Sequence, residues 1–120
     1  MAPVLLVALG GVVGALARVG VGEVLPHDPG RWAWSTVLVN AAGAFVLCLL
    51  LPLVRTPSVR LALATGLVGS FTTFSGFALD AVLLADEGRP VVAAAYVLVS
   101  LLSLLAAGLL GRLVARAVLR

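Results

Sequence analysis

Gly66-Leu67-Val68-Gly69-Ser70-Phe71-Thr72-Thr73-Phe74-Ser75-Gly76-Phe77 lies in the middle of an apolar segment long enough to cross a bilayer. An ordinary spanning helix would fill these positions with Leu, Val and Ala. Here Gly66, Gly69 and Gly76 alternate with the hydroxyls of Ser70, Thr72, Thr73 and Ser75 and with Phe71, Phe74 and Phe77. Backbone that is prone to break and rich in hydroxyls is tolerated at membrane depth only where protein or a water-filled path surrounds it. Interrupted helices at the midplane form ion sites, because freed carbonyls and helix ends become ligands. The stretch therefore points to ion passage rather than to catalysis.

The surrounding composition agrees. Of 120 residues, 62% are hydrophobic and only 11% charged, well beyond the apolar share of a soluble domain. Four apolar stretches approach or exceed the ~20 residues that span hydrocarbon, at about 3–25, 34–54, 61–84 and 91–114. The expectation is an all-α membrane protein, one four-helix transmembrane domain over residues 1–120, with its third helix broken at the midplane. The apolar start is read as the first membrane helix and not as a cleaved leader, since no basic run precedes it. Four helices enclose little pore by themselves, so oligomerisation is expected.

The net charge is +3 and all eight basic residues are arginine, placed mainly at segment ends. That distribution reads as a topology signal and not as a nucleic-acid surface. Arg55, Arg60, Arg112, Arg116 and Arg120 fall on the side of both termini, and Arg31 and Arg89 on the other, which favours cytoplasmic termini. Cys48 is a lone cysteine inside the second segment and belongs to packing. No nucleophile–base pair, metal-ligand cluster or phosphate-binding loop stands out, so the sequence does not read as an enzyme.

Polar groups inside the spans supply the remaining candidates. Gly10, Gly14, Arg18 and Gly22 recur every four residues on one face of the first helix, where glycines permit close helix approach. Arg18 faces protein or water, or else snorkels to the interface. His27 falls in a turn-rich loop and reads as solvated. Asn40, the only amide side chain in the chain, serves either as an interhelix hydrogen bond or as a pore donor. Tyr96, Ser100, Ser103, Ala107 and Gly111 form a small, polar stripe on the fourth helix.

Phe74 and Phe77 lie three residues apart and face nearly the same way on a helix. A ring has a positive edge, which favours an anion; ordinary core packing is the simpler use of such residues. Asn40, Thr73, Ser75 and the fourth-helix hydroxyls could add donors. With no mid-membrane carboxylate expected to face it, this cluster suits a small anion.

Three motifs together carry a family resemblance. Gly10-Gly11-Val12-Val13-Gly14-Ala15-Leu16-Ala17-Arg18, Thr36-Val37-Leu38-Val39-Asn40-Ala41-Ala42-Gly43-Ala44-Phe45 and Gly66 to Phe77 resemble, in this order, the first-, second- and third-helix signatures of the CrcB/Fluc fluoride channels. The resemblance covers essentially the whole chain. It implies an antiparallel, dual-topology dimer with two fluoride pathways, in which fluoride leaves the cytoplasm passively across the inner (plasma) membrane. The pore asparagine maps to Asn40 and the pore phenylalanines to Phe74 and Phe77. The hydroxyl track maps to Thr73 and Ser75 and continues through Tyr96 and Ser100, and Arg18 maps to the vestibule. A structural sodium ion, not transported, is implied at the dimer centre on the main-chain carbonyls of Gly69 and Thr72, with glycine allowing the open dihedrals needed there. Gly76 departs from the family pattern, removing one hydroxyl and loosening the helix between the rings. The dimer is either a homodimer or a heterodimer with a paralogue. Alternatives are a small multidrug resistance-type exporter, disfavoured because the first helix holds Arg18 rather than a central carboxylate, and a non-conducting scaffold subunit of a heterodimer.

Overall fold

The computed structural model describes residues 2–120, and among them there are helices and no strands. Helix α1 spans Ala2–Val24 and α2 spans Trp34–Leu50. The third apolar segment is composite: α3 (Pro57–Leu61), a π-helical segment (Ala62–Val68), α4 (Gly69–Phe71) and, after a break at Thr72–Thr73, α5 (Phe74–Asp86). Helix α6 runs over Pro90–Val118. Three stretches are long and apolar enough to cross a membrane, Pro3–Val24, Pro57–Asp86 and Pro90–Val118, and Trp34–Leu50 is a shorter apolar helix.

Local chemistry sets these boundaries. The second helix stops at Leu50, short of the expected 54, because Pro52 has no N–H to continue the ladder. The chain there tightens into a turn, with the amides of Leu53 and Val54 both donating to the Leu50 carbonyl at 3.0 Å. The third segment begins earlier than expected, with Pro57 in the first turn, where the missing donor costs nothing. Between α1 and α2, Pro29 and Gly30 occupy the centre of a turn closed by Arg31 N–H to Asp28 O at 3.0 Å, with Gly30 at φ +75; a positive φ at that position asks for glycine. Gly88, at φ +72, ends α5: its amide donates to Ala85 O at 3.0 Å and that of Arg89 to Leu84 O at 3.2 Å. These are the paired bonds of a Schellman cap, and Pro90 opens α6 directly after it.

Glycine also determines which helices touch. A Cβ at Gly14 would run into the Leu67 carbonyl and one at Gly66 into the Val7 carbonyl, so α1 and the π segment pack backbone to backbone. Gly111 does the same for α6 against Phe45 of α2. Gly22, from the same first-helix stripe, meets nothing within 4 Å in the single chain. The buried cluster is small and sits toward the loop end of the bundle: Ala33, Val37, Leu84, Ala93 and Tyr96. Large apolar side chains such as Leu9, Leu16, Leu105 and Phe74 face outward, an arrangement suited to lipid or to another protein and not to water.

Candidate functional site

The break is held open from outside. In an unbroken helix the Thr73 amide would donate to the Gly69 carbonyl. Here it donates to Asn40 Oδ1 at 2.8 Å, while Asn40 Nδ2 donates to Thr73 O at 2.9 Å. One side-chain amide of α2 thus satisfies both polar groups of the peptide unit that leaves the helix. The structure gives Asn40 the interhelix hydrogen-bonding role. Its second Nδ2 hydrogen takes no part in this pair, and Asn40 also lines the groove described below. Gly43, one turn along α2, leaves the room that the Thr72 methyl fills.

Both ends of the break are capped. Thr72 donates its hydroxyl back to Val68 O at 2.9 Å. Thr73 is the N-cap of α5, its Oγ1 accepting from the Gly76 amide at 3.0 Å, as hydroxyl caps do. Ser75 is exposed, with its Oγ 3.3 Å from Thr73 Oγ1. A Cβ on Gly76 would stand 3.0 Å from the Thr73 methyl, so glycine lets the cap close tightly. Arg18 reaches from α1 to donate to Thr72 O at 3.3 Å, placing a fixed cation at the broken backbone. Gly69 is exposed and ordinary helix, φ −61 and ψ −32. The open dihedrals expected at Gly69 are therefore not used, because the chain turns out at Thr72 (ψ 160) and Thr73 (φ −146), in extended conformations open to any residue.

A groove of about 370 Å³ opens at the break, lined by Asn40, Thr72, Thr73, Phe74, Phe77 and Ser100 together with Ala44, Leu47, Val68, Leu101 and Leu104. Phe74 is 81% exposed. Its ring lies 5.8 Å from that of Phe77, which stacks at 5.8 Å on Tyr96. Ser100 is buried with no hydrogen-bond partner for its hydroxyl, leaving a donor beside the groove. No carboxylate lines it. The structure thus brings Asn40, Thr72, Thr73, Phe74, Phe77 and Ser100 together, sets Ser75 at the rim, and takes Tyr96 one step away.

Tyr96 is occupied elsewhere, by a residue the sequence reading passed over. Asp80 lies on α5 one turn beyond Phe77 and is 9% exposed. Its Oδ2 accepts from Thr36 Oγ1 at 2.8 Å and from the Tyr96 hydroxyl at 3.1 Å, and its Oδ1 lies 3.3 Å from His27 Nε2. Ser35 Oγ sits 3.2 Å from His27 Nδ1. The expectation that no carboxylate faces the cluster is thus corrected: Asp80 stands behind Tyr96, its charge compensated by hydroxyl donors. His27 is an exposed loop residue as expected, but its ring also meets Asp80 and Ser35, with 28% of the side chain exposed. The signal for Asp80 was present, since an aspartate inside an apolar span is costly unless partnered.

The sequence matches the family described as CrcB-like protein, Camphor Resistance (CrcB), over residues 5–112. It is 41% identical over 119 residues to the fluoride-specific ion channel FluC of Hyphomonas neptunium, covering 93% of this chain and 94% of that relative. It is 41% identical over 114 residues to the protein of the same name from Agrobacterium fabrum, covering 89% and 90%. A third such relative, from Rhodospirillum centenum, is 42% identical over 108 residues, covering 85% and 86%.

Proposed function

The chain belongs to the CrcB-like family, and on that premise we propose that it forms a fluoride-specific ion channel whose conduction path runs through the groove at the third-segment break. It is a membrane protein and not an enzyme. The observation that carries the reading is the groove itself: the rings of Phe74 and Phe77, an amide at Asn40, an unpartnered hydroxyl at Ser100 and no lining carboxylate. Ring edges and N–H or O–H donors favour a small anion over a cation. Arg18 at Thr72 O adds positive potential beside the break.

Flow is passive. Fluoride enters a cell as the neutral acid, ionises at cytoplasmic pH and is trapped. A potential negative inside drives the anion out by about 2.3 kcal/mol per 100 mV, with no coupling ion.

All four apolar helices cross the inner membrane in this reading, α2 being the shortest, and the arginine bias places both termini in the cytoplasm in the favoured orientation. Two copies, or this chain and a paralogue, pair antiparallel. The outward apolar side chains of the single chain support burial against lipid and a partner.

A structural sodium ion at the dimer centre is part of the proposal. The donor set suits it. The Gly69 carbonyl has lost its helical partner because the Thr73 amide turns to Asn40, and freed carbonyls are the oxygen ligands that sodium takes at broken helices. The Thr72 carbonyl is the poorer of the two ligands, since Arg18 already donates to it at 3.3 Å and a guanidinium repels a second cation. The ion would neutralise carbonyl ends at the interface and hold the two breaks together.

Growth on fluoride tests the function. Bacteria stripped of their own fluoride export should regain tolerance when they express this protein, together with its paralogue if one exists. Continued sensitivity despite membrane-inserted protein would contradict the reading.

A further inference from the structure

Asp80 is the one carboxylate drawn into the buried end of the bundle, and its surroundings hold a single titratable cation. From α2 it meets the hydroxyl of Thr36, from α6 the hydroxyl of Tyr96, and from the α1–α2 loop the ring of His27. Among the described residues His27 is its only ion-pair partner. The other charged groups on the adjoining segments are Asp28 and Arg31 on the same loop, Glu23 at the end of α1, and Glu87 and Arg89 after α5. Glu87 lies against Gly30, and Arg89 donates to Gly30 O at 3.3 Å. None of the five makes an ion pair with His27 or Asp80.

Position makes this charge matter. Phe77 borders the groove and stacks on Tyr96, and Tyr96 donates to Asp80. Asp80 therefore stands next to one end of any path that leaves the Phe74–Phe77 rings toward the His27 loop. With His27 protonated, the pair is neutral. With His27 neutral, the carboxylate keeps its two hydroxyl donors but loses its only countercharge, and it repels an approaching anion. Histidine is the side chain whose charge changes between about pH 5 and pH 8.

We propose that His27 and Asp80 form a charge-setting pair at the loop end of the anion path, so that protonation of His27 speeds fluoride passage and its deprotonation slows it. This rests on the channel reading above. His27 is a positioning residue here: it acts on the ion through Asp80.

Fluoride efflux from liposomes at matched pH on both sides tests it, with the leak of the neutral acid measured in protein-free vesicles and subtracted. Wild-type efflux should fall roughly tenfold from about pH 5.5 to about pH 8, the order expected of one uncompensated charge acting through partly screened surroundings. His27→Gln should be flat in pH and slow, and Asp80→Asn should be fast at every pH tested, because the repelling carboxylate is gone. Wild-type efflux that is present but independent of pH would overturn this inference and leave the channel reading standing. No efflux at any pH would overturn both. Because Asp80→Asn could disturb folding, a second measurement stands apart from flux. His27 is the only histidine in the chain, so its imidazole nitrogen resonances are an unambiguous reporter in detergent. They should differ between wild type and Asp80→Asn in samples of equal helicity; identical resonances would show that the pair does not exist and overturn the proposal.

Discussion

Asn40 serves the site with both ends of one amide. Its bonds to Thr73 N–H and Thr73 O replace the partners lost where the third segment leaves the helix. Asn40→Ala would leave both groups unpaired, at about 1–3 kcal/mol each, and would take an N–H from the groove. We expect fluoride efflux to fall at least about tenfold and the melting temperature to drop; unchanged values in liposomes and in thermal melts would reduce Asn40 to a bystander. The two rings should separate under the same pair of measurements. Phe74 is 81% exposed in the single chain, so Phe74→Ile should slow efflux and leave the fold of the subunit intact. Phe77 sits between Phe74 and Tyr96, so Phe77→Ile should cost both flux and stability. An aliphatic side chain keeps the bulk and loses the positive edge, and wild-type flux in both variants would mean that the rings only pack.

At the scale of elements, the third segment is two helices that share one apolar stretch, and its junction is kept by side chains. Thr73→Val keeps the shape and removes the cap on Gly76 N–H; it should destabilise by about 0.5–2 kcal/mol in denaturant or thermal melts, with Thr73→Ser close to wild type. Gly14→Ala should be far worse than Gly69→Ala for the subunit's stability, because a Cβ at Gly14 meets the Leu67 carbonyl, whereas one at Gly69 finds nothing nearer than 3.5 Å. Equal melting temperatures for these two variants would contradict the packing of α1 on the π segment. Much of this was legible beforehand. Glycine, threonine and serine crowded into an apolar run announced an interruption somewhere between Gly66 and Phe77, and the spacing of Gly10 and Gly14 announced a close helix contact. The π segment was not legible, since widening a helical turn follows from packing and leaves no period in the sequence. Nor was the His27–Asp80 contact: the two residues stand 53 positions apart and meet only because a turn at Pro29–Gly30 folds the loop back over α5. The dihedral argument for Gly69 failed for a related reason, since the turn out of the helix falls three residues later, where threonine suffices.

For the whole molecule, the single chain carries half of what the account needs. Its broken segment exposes Gly69, its apolar faces point outward, and its buried cluster is small, so pairing with a second subunit should be inseparable from stability. If sodium bridges the two breaks, replacing it with a bulky organic cation should weaken the dimer in cross-linking and slow efflux together; a dimer and a flux indifferent to sodium would remove the ion from the account. The central claim is that this fold passes fluoride and excludes chloride, and one measurement addresses it without intermediaries. Purified protein, paired with its paralogue if one exists, is placed in liposomes loaded with both anions, a potassium ionophore sets the driving potential, and ion-selective electrodes follow release. The account predicts rapid fluoride release with chloride retained. Chloride release as fast as fluoride, or fluoride release no faster than from protein-free vesicles, would contradict it.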